Sequence, residues 1–466
     1  MALPAPIGVQ KEVVALPAEG HVVVLGTAGS GKTTMAIHRA ANISNPLVPN
    51  NGRTLLVTFN RTLVRYIDFL AGADLVNVDV HTYHRFARGY LAQRGLMGPN
   101  SICSERLREE LLRDSVAELA RLHVGHPLFA RPLQFFVDEV AWMSRHGVIE
   151  QETYIGADRI GRADARLMRD QRPLMYEVYR EYVERRTARA KQYDWDDMAV
   201  AVRHALSDDD SERMYRHVVI DEGQDFSPEM IRSLTAAVPP DGSLTLFGDV
   251  AQQIYGRRLS WKDAGLRVDA VWPFKKNYRN SREIALLGLA IAAMPYYADE
   301  PDMVAPDEFR AAGPKPTFVR LPDEASEFAF AAVQAKAAAE AGQAVGILLR
   351  RHEHESRVRT HLSGTSAQKL DPQMVWRPGA GISYGTIHAA KGLEFDTVVI
   401  PLLATNHYPD PVLVGVVGDA EADAVDGRLL YVGVTRARQN LILTCSAELT
   451  SLMPKRADLW TEAQPR

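Results

Sequence analysis

The sequence predicts an α/β protein made of two units, each with a parallel sheet, and a helical insertion in the first unit. Short apolar runs of strand length recur along the chain and are separated by segments with helical spacing, a pattern typical of parallel sheets buried on both faces. Between about residues 100 and 200 these runs are missing and the apolar residues recur at helical spacing. The length of 466 residues suits two to four domains of roughly 100–200 residues.

The strand-like runs form two groups with a break near Pro273. The first group covers residues 21–26, 54–59, 217–222 and 244–249, and the second covers residues 316–321, 344–350, 397–402 and 441–445. In the interval without strands, four apolar residues share one helical face: Leu107, Leu111, Val116 and Leu119. We therefore place the first unit at residues 1–100 and 190–270, the helical insertion at 101–189, and the second unit at 271–466.

Composition and charge limit the class of protein. The net charge is −4, with 54 basic and 58 acidic residues, so no overall basic field indicates a nucleic-acid partner, although a local basic groove is compatible with this balance. Cys103 and Cys445 belong to no CxxC or Cys/His array, which argues against a disulfide scaffold or a zinc site. The N-terminus does not resemble a signal peptide, and no apolar run approaches about 18 residues. We expect a cytoplasmic protein without a membrane segment.

Residues 26–33 read GTAGSGKT and fit the pattern GxxxxGK[ST], with a strand-like run before them and a helical segment after them. The glycines let several backbone N–H groups and a helix N-terminus face a phosphate chain. Lys32 should reach the β and γ phosphates, and the Thr33 hydroxyl should bind Mg²⁺. We predict that a nucleoside triphosphate binds here, with ligands at Gly29, Gly31, Lys32, Thr33 and Thr34.

The segment VVIDEGQD at residues 218–225 supplies the acids that a P-loop requires at the end of a neighbouring strand. Asp221 is expected to hold Mg²⁺ through its water shell. Glu222 is expected to polarise the attacking water, the second role that phosphoryl transfer requires.

Three later segments decide which kind of P-loop protein this is. They read KKNYRNSREI at residues 275–284, ISYGTIHAAKGLEFDTVVIP at 382–401 and GRLLYVGVTRARQNLIL at 427–443. With the motifs above, and in the same order, they resemble the UvrD/Rep-like DNA helicases of superfamily 1A, from about Gln10 to Leu443. The resemblance implies two RecA-like P-loop NTPase domains with parallel sheets, 1A and 2A, and a helical 1B insertion in the first. It also implies ATP and Mg²⁺ as cofactors.

The interval between Arg279 and Thr386 departs from the family. Strands expected near residues 316 and 344 already use most of this interval, so it leaves no space for the large 2B domain that the family typically inserts there. We infer a compact form that lacks 2B. In the family 2B regulates unwinding, so a chain without 2B is not expected to separate strands efficiently by itself. Translocation and ATP hydrolysis do not require 2B and are still expected.

The resemblance implies further roles around the nucleotide. The short motif FGDVAQQIYGRRLSW at residues 247–261 matches a family motif that lies between nucleotide and DNA. The implied nucleotide contacts are Gln10 and Tyr278 at the adenine, Glu394 at the ribose, and Gln252, Arg279 and Arg436 at the γ-phosphate, with Arg279 as an arginine finger.

The resemblance also implies a set of DNA contacts: Phe59, Asn60, Arg61, Thr82, His84, Tyr255, Arg257, Trp261, Thr386 and His388. Phe59 is either a stacking ring or a core aromatic at a strand end. The family often has a tryptophan where this chain has Arg257, so either Arg257 stacks on a base, or Trp261 folds back to do so, or Trp261 is a core residue. Lys391 lines the DNA or links it to the nucleotide. We interpret YDWDDM at residues 193–198 as structural, with Trp195 packed and the carboxylates capping or paired.

The expected function is that of a DNA-dependent ATPase that moves along single-stranded DNA, 3′ to 5′, with a 3′-tailed duplex as substrate and a role in DNA repair. An alternative is an ATPase switch or motor subunit that works with a separate nuclease, repair or defence protein. A third, an RNA motor, is disfavoured only by the motif resemblance, since nothing in the sequence reads a 2′-hydroxyl and so distinguishes RNA from DNA.

Overall fold

A computed structural model describes residues 3–72, 75–159, 162, 166–249, 264–297, 312–371, 373–374 and 379–464. Within these ranges the chain forms two parallel sheets with helices packed on them. We call the part up to Phe274 the first half and the part from Lys275 onward the second half. Gln252, Tyr255, Arg257 and Trp261 lie outside the described residues, so their roles stay predictions.

The first sheet is built from β1 (Gly20–Gly26), β2 (Thr54–Thr58), β3 (Val78–Thr82), β4 (His217–Ile220), β5 (Ser243–Gly248) and β6 (Val268–Phe274). The order is β3-β2-β4-β5-β1-β6, and neighbouring strands are parallel. The four central strands coincide with predicted runs, whereas the two edge strands were not predicted. β6 contains Pro273, which an edge strand tolerates because one side of it needs no hydrogen-bond donor. Since β6 runs to Phe274, the first sheet continues past residue 270.

The second sheet is built from β7 (Thr317–Arg320), β8 (Ala344–Leu349), β9 (Gln368–Lys369), β10 (Gly381–Thr386), β11 (Phe395–Ile400), β12 (Ala437–Cys445) and β13 (Thr461–Ala463). The order is β13-β7-β12-β11-β8-β10-β9, again with parallel neighbours. All four predicted runs of the second group are strands.

Helices follow most strands. The first half contains α1 (Val9–Ala15), α2 (Lys32–Ile43), α3 (Arg61–Ala71), α4 (Tyr83–Gln93), α5 (Glu105–Leu122), α6 (Leu133–His146), α7 (Gln151–Gly156), α8 (Arg172–Ala188), α9 (Met198–Ser207) and α10 (Pro228–Ala236). The second half contains α11 (Arg282–Ala292), α12 (Glu324–Glu340), α13 (Glu355–His361), α14 (Pro411–Val417) and α15 (Asp419–Val434). None of the helices in the described ranges combines the length and the apolar character of a membrane-spanning segment.

Two of the predicted DNA contacts, Asn60 and Thr82, are the N-terminal caps of α3 and α4. These helices carry two further predicted contacts, Arg61 and His84. The Asn60 side chain accepts a hydrogen bond from Thr62 N at 2.8 Å and caps α3. The Thr82 hydroxyl accepts one from Arg85 N at 3.3 Å and caps α4. Such caps satisfy backbone donors that a helix start leaves free, so both helices begin at the carboxyl edge of the first sheet.

The acids of YDWDDM bind the helices α5, α6 and α8 to the segment that leads into α9. Asp196 accepts from Arg108 of α5 at 2.6 Å and from Arg145 of α6 at 2.7 Å. Arg186 of α8 pairs with Asp197 at 2.6 Å. These contacts confirm that carboxylates of the segment are paired.

Helices α5 to α8 also pack around a core of their own, which includes Leu112, Phe136 and Met175. At its centre the fully buried Glu139 accepts from Arg159 Nε at 2.6 Å, from Arg162 Nε at 3.1 Å and from the Tyr154 hydroxyl at 2.8 Å. Burial by itself would raise the pKa of Glu139, but the hydrogen bond and charge of Arg159, then Arg162, lower it below its usual value.

Replacing Glu139 with alanine should destabilise this region by about 3–5 kcal/mol, because the arginines would remain buried without their partner. Asp138→Ala is the matched control: its carboxylate lies 3.6 Å from Arg162 and is one-third exposed, so the cost should be about 0–1 kcal/mol. Urea unfolding at neutral pH measures both. Because folding lowers the pKa of Glu139, its stabilisation is present above the usual value of 4.5 and is lost as the pH falls below it. Equal losses in the two variants would contradict the prediction.

The second half leaves no room for an inserted 2B domain after α11. Only residues 293–316 join α11 to β7, and this stretch is shorter than the smallest usual domains of about 50 residues. The other connections between the strands of the second sheet contain only α12 to α15 and short turns in their described parts.

Candidate nucleotide and DNA site

The P-loop joins β1 to α2 and touches the second half. Gly29 and Gly31 have φ of 80° and 84°, a left-handed backbone that glycine adopts without strain. A Cβ on Gly29 would lie 2.4 Å from Asn277 Oδ1, and the Gly29 carbonyl accepts from Tyr278 N at 2.8 Å. The predicted phosphate loop and the predicted adenine residue are therefore in direct contact.

Lys32 opens α2 beneath this loop and is buried. Its ammonium group donates to the carbonyls of Gly26 and Thr27 at 2.7 Å each and lies 3.3 Å from Asp249 Oδ2. The charge is thus fixed at the mouth of the loop, where it can exchange these partners for phosphate oxygens.

The two acids at the end of β4 differ in their surroundings. Burial, and then the charge of Glu222, raise the pKa of Asp221. Burial opposes ionisation of Glu222 too, but Lys391, Lys32 and Arg436 together lower its pKa below the usual value. Glu222 therefore stays anionic at neutral pH, as a group that polarises water must. Its φ of 55° is unusual for a residue with a side chain and is typical of a strained functional position.

Arg279 and Arg436 reach this acidic centre from the second half. Arg279 Nη2 lies 2.6 Å from Glu394 Oε1. Arg436 is 1% exposed, and burial together with the charge of Arg279 lowers its pKa to about 10. Glu222, Glu394 and Asp249 oppose that shift. Two cations that are held close together and away from water favour a polyanion between them.

Asn280 joins the segment that carries Arg279 to the segment that carries Arg436. Its side-chain amide donates to the Thr435 carbonyl at 3.0 Å and to the Ala437 carbonyl at 2.6 Å. The sequence reasoning passed over Asn280, and its only signal was its place directly after Arg279.

The remaining predicted nucleotide residues lie around the loop. Gln10 is buried, donates to the Ser30 carbonyl at 3.0 Å and accepts from Ile7 N at 3.2 Å. Thr33 and Thr34 lie in the first turn of α2 and are partly exposed. The structure thus gathers the described ATP residues at one place between the halves, while their individual roles stay predictions.

A cavity of about 840 Å³ opens beside the predicted DNA contacts of the first half. Arg61, Thr82 and His84 line it together with Trp195. Phe59 lies at its inner side with its ring centroid 5.7 Å from that of His84, and Phe59 also packs on the core of the first sheet. This packing agrees with the core-aromatic alternative for Phe59, and stacking on a base stays a prediction.

Four arginines face the cavity from two helices: Arg61 and Arg65 on α3, and Arg85 and Arg88 on α4. The spacings i, i+4 and i, i+3 put each pair on one face of its helix. All four are exposed, and none forms an ion pair within the described ranges. The sequence analysis named only Arg61. The pattern that could have indicated Arg65, Arg85 and Arg88 is the spacing of three or four residues between the arginines of each helix.

The turn after β10 brings the remaining predicted residues together. The Thr386 hydroxyl accepts from Ala389 N at 3.2 Å, and Lys391 N donates to the His388 carbonyl at 3.2 Å. Burial, followed by the charges of Arg350 and Lys391, lowers the pKa of His388 to about 4, so His388 is neutral at physiological pH. Lys391 itself pairs with Asp225 of the first half. Asp225 was not singled out from the sequence, although it lies inside the quoted VVIDEGQD.

The sequence model of the UvrD/REP helicase N-terminal domain matches residues 8–267, more than half of the chain. The chain belongs to the UvrD/REP helicase family. A second model, the UvrD-like helicase C-terminal domain, matches residues 369–448 of this UvrD/REP helicase. It is therefore an ATP-hydrolysing enzyme of the DNA helicase class, and its two parallel sheets are those of two RecA-like helicase domains. The predicted family and fold class are confirmed.

Curated relatives of this UvrD/REP helicase carry helicase names. The ATP-dependent DNA helicase UvrD2 of Mycobacterium tuberculosis (strain ATCC 25618 / H37Rv) is 25% identical to this chain over an alignment 551 residues long, gaps included. The alignment covers 93% of this chain and 78% of UvrD2. A protein of Mycoplasma pneumoniae named as a probable DNA helicase is 22% identical over 474 residues, which cover 93% of this chain and 82% of the relative. The UvrD2 alignment is longer than this chain, so UvrD2 carries residues that this chain lacks.

Proposed function

We propose that this UvrD/REP helicase couples ATP hydrolysis to 3′ to 5′ movement along single-stranded DNA. The observation that supports this most directly is the position of Arg279 and Arg436, which come from the other half of the chain and lie near enough to Glu222 to interact with its charge. Arginines that contact a γ-phosphate across a cleft tie the closure of that cleft to the state of the nucleotide. Repeated closure and opening, with alternating grip on a strand, would move the protein. The polarity follows from the family.

ATP with Mg²⁺ fits the residues at the cleft. The Asp221 carboxylate is buried and accepts a hydrogen bond from the Thr33 side chain, and a carboxylate beside a hydroxyl is a set of oxygen ligands that suits a hard cation. Asp221 and Thr33 would hold Mg²⁺, which would neutralise charge on the phosphates. Lys32, Arg279 and Arg436 would hold the phosphates, and Glu222 would orient the attacking water. Gln10, Tyr278 and Glu394 would hold the nucleoside.

The arginine-lined cavity supports DNA as the polymer that is bound. The exposed guanidinium groups that line the cavity form a local basic surface on a protein of net charge −4, and such surfaces recognise phosphate backbones. Arg61, Thr82 and His84 would contact the strand on the first half, and Thr386 and His388 would contact it on the second.

The proposal is tested by measuring ATP hydrolysis with and without single-stranded DNA. The rate should rise with DNA, and Lys32→Ala should abolish it. Displacement of streptavidin from the 5′ end, but not from the 3′ end, of a biotinylated strand should show the polarity. An unchanged rate with DNA, in a preparation whose hydrolysis Lys32→Ala abolishes, would sink the motor proposal.

Removing Arg65 and Arg88 together should weaken single-stranded DNA binding and reduce its salt dependence. Each phosphate contact contributes about 0.7 to the slope of log K against log salt, so the double alanine variant should lose about 0.7–1.4 from the slope. Fluorescence anisotropy between low and physiological salt measures this. Arg106 and Arg113, exposed on α5, give a control of the same charge change. Equal slopes for the two double variants would exclude the cavity as a phosphate site.

The short connection after α11 favours a second candidate, a motor subunit that works with a separate nuclease, repair or defence protein. Lacking a 2B domain, the isolated chain would translocate without separating strands efficiently. Unwinding of a 3′-tailed duplex by substoichiometric isolated chain would count against this candidate. Competition between matched RNA and DNA oligomers tests the choice of DNA over RNA.

A further inference from the structure

Arg39 is a fully buried cation on α2, and it donates to the connection between α1 and β1. Its Nη2 group donates to the Pro17 carbonyl at 2.7 Å, and its Nη1 group donates to the Leu16 carbonyl and, at 3.2 Å, to the Val14 carbonyl. Its Nε group donates to the Thr245 hydroxyl of β5 at 3.4 Å. Burial lowers the pKa of Arg39 to about 10, so the guanidinium group stays charged at neutral pH.

These bonds hold the carboxyl-terminal end of α1. Val14 lies in the last turn of this helix, and Leu16 directly follows the helix. The last carbonyls of a helix have no partner within the helix, and a cation beside them is favoured by the helix dipole. Asn42, three residues further along α2, also donates to the Val14 carbonyl at 3.0 Å. The forked, planar guanidinium of Arg39 therefore fixes this end of α1 against α2.

Gln10, in the first turn of α1, lies over the P-loop. Its Nε2 group donates to the Ser30 carbonyl at 3.0 Å, and its Oε1 atom accepts from Ile7 N at 3.2 Å. A Cβ added to Gly31 would lie 3.1 Å from Nε2. An amide has two N–H donors and two acceptor sites on its oxygen, so one donor and one acceptor of Gln10 remain for a ligand.

The remaining donor and acceptor of Gln10 suit the edge of adenine, which presents N7 as an acceptor and the 6-amino group as a donor. Hypoxanthine carries an oxygen at position 6 in place of that amino group, so two acceptors would face each other across the same contact. A site that selects adenine in this way requires the amide of Gln10 to be held in one orientation.

The helix α1 is too short to hold Gln10 by itself. It has seven residues, fewer than the roughly 12–15 that an isolated helix needs to be even marginally stable in water. Without Arg39, most of the polar contacts at the far end of α1 would be lost, and the Gln10 amide would lose its fixed orientation. Lys32, which starts α2, would keep its own contacts with the P-loop carbonyls.

We propose that Arg39 is a positioning residue that makes the nucleotide site selective for adenine by fixing α1 and, through it, the amide of Gln10. This inference rests on the proposed function, because it takes Gln10 as the residue that contacts the base. Arg39 follows Lys32 by two turns, about 10 Å along α2, so it acts through Gln10 and not by touching the nucleotide.

The test is the selectivity ratio, the Kd of inosine triphosphate divided by the Kd of ATP, measured by titration calorimetry on the full chain with Mg²⁺ and without DNA. In the wild type the ratio should be about 5–150, the discrimination that a bidentate amide–adenine pair gives. Gln10→Ala should bring the ratio to about 1. Arg39→Met should remove at least half of the discrimination on a logarithmic scale, about 2- to 12-fold. The loss should come from weaker ATP binding, while the Kd of inosine triphosphate stays near its wild-type value.

Arg172→Met is the matched control. Arg172 is also buried and donates to the carbonyls of Ile155 and Ala157 at 2.7 Å each, but it starts α8, one of the helices that pack around a core of their own. Its loss should cost similar stability and leave the ratio at the wild-type value. Arg39→Lys keeps the charge without the fork and should give an intermediate ratio, so it decides the outcome if circular dichroism shows that Arg39→Met does not fold.

A wild-type ratio in the folded Arg39 variants, or an equal fall of the ratio in Arg172→Met, would overturn the inference. Equally weakened binding of both triphosphates would also overturn it, because Arg39 would then only support the fold of the site. If Gln10→Ala keeps the wild-type ratio, or if the wild type has no preference, Gln10 does not read the base, and its proposed role falls together with this inference. The titration needs neither DNA nor hydrolysis, so a failure of the motor proposal would be seen separately.

Discussion

Replacing Glu222 with glutamine should lower the DNA-stimulated ATPase rate by about 10²–10⁴-fold, the usual contribution of a general base. Glutamine has the same shape, so the contact with Gln224 and the turn should persist. What is lost is the negative charge that polarises water. In the wild type that charge is secured because Lys391, Lys32 and Arg436 lower the pKa of Glu222 against the effect of burial.

Phosphate release at saturating ATP and DNA measures the loss, and binding of a fluorescent ATP analogue checks that the nucleotide still binds. Asp241→Asn is the control in the same half, since its carboxylate is exposed and pairs with Arg216 at the surface. It should leave the rate unchanged within about twofold, because exposed pairs contribute little. A rate for Glu222→Gln within tenfold of wild type would remove Glu222 from the catalytic role.

The sequence predicts the central strands of both sheets well because those strands are apolar on both faces. β4 and β5 are buried throughout: β4 shows the apolar run VVI at residues 218–220, and β5 shows Leu244, Leu246 and Phe247 with small residues around them. Edge strands lack this signal. β3 is only partly buried along most of its length, and β13 is exposed, so neither produces such a run.

Site residues that belong to a motif could be proposed from the sequence on both sides of the cleft, whereas some of the contacts between the motifs could not. Lys32, Asp221 and Glu222 follow from the local requirements of phosphate and Mg²⁺. Asp225 becomes significant only because the fold brings Lys391 against it, and those two residues are far apart in the sequence. Likewise Arg65, Arg85 and Arg88 look like ordinary surface residues until two helices place them around one cavity.

Replacing Arg279 with alanine should lower the DNA-stimulated ATPase rate by about 10³–10⁵-fold, the contribution of an arginine finger to kcat. Arg279 approaches the P-loop from the second half and is held by Glu394 at 2.6 Å. Its side chain is 11% exposed, so its charge is little screened by water. Arg279→Lys should restore little activity, because an ammonium group cannot reproduce the planar, forked donors of guanidinium.

Arg438 provides a matched control for Arg279 because it contacts the same acid. Arg438 Nε lies 4.0 Å from Glu394 Oε2, but its side chain is 45% exposed. Removing it should change the rate by less than about fivefold, as expected for an exposed pair. Single-turnover hydrolysis with saturating DNA distinguishes the two, since it reports the chemical step rather than product release. If the two alanine variants lost activity equally, the loss would come from the shared partner Glu394, and Arg279 would have no direct part in transition-state stabilisation.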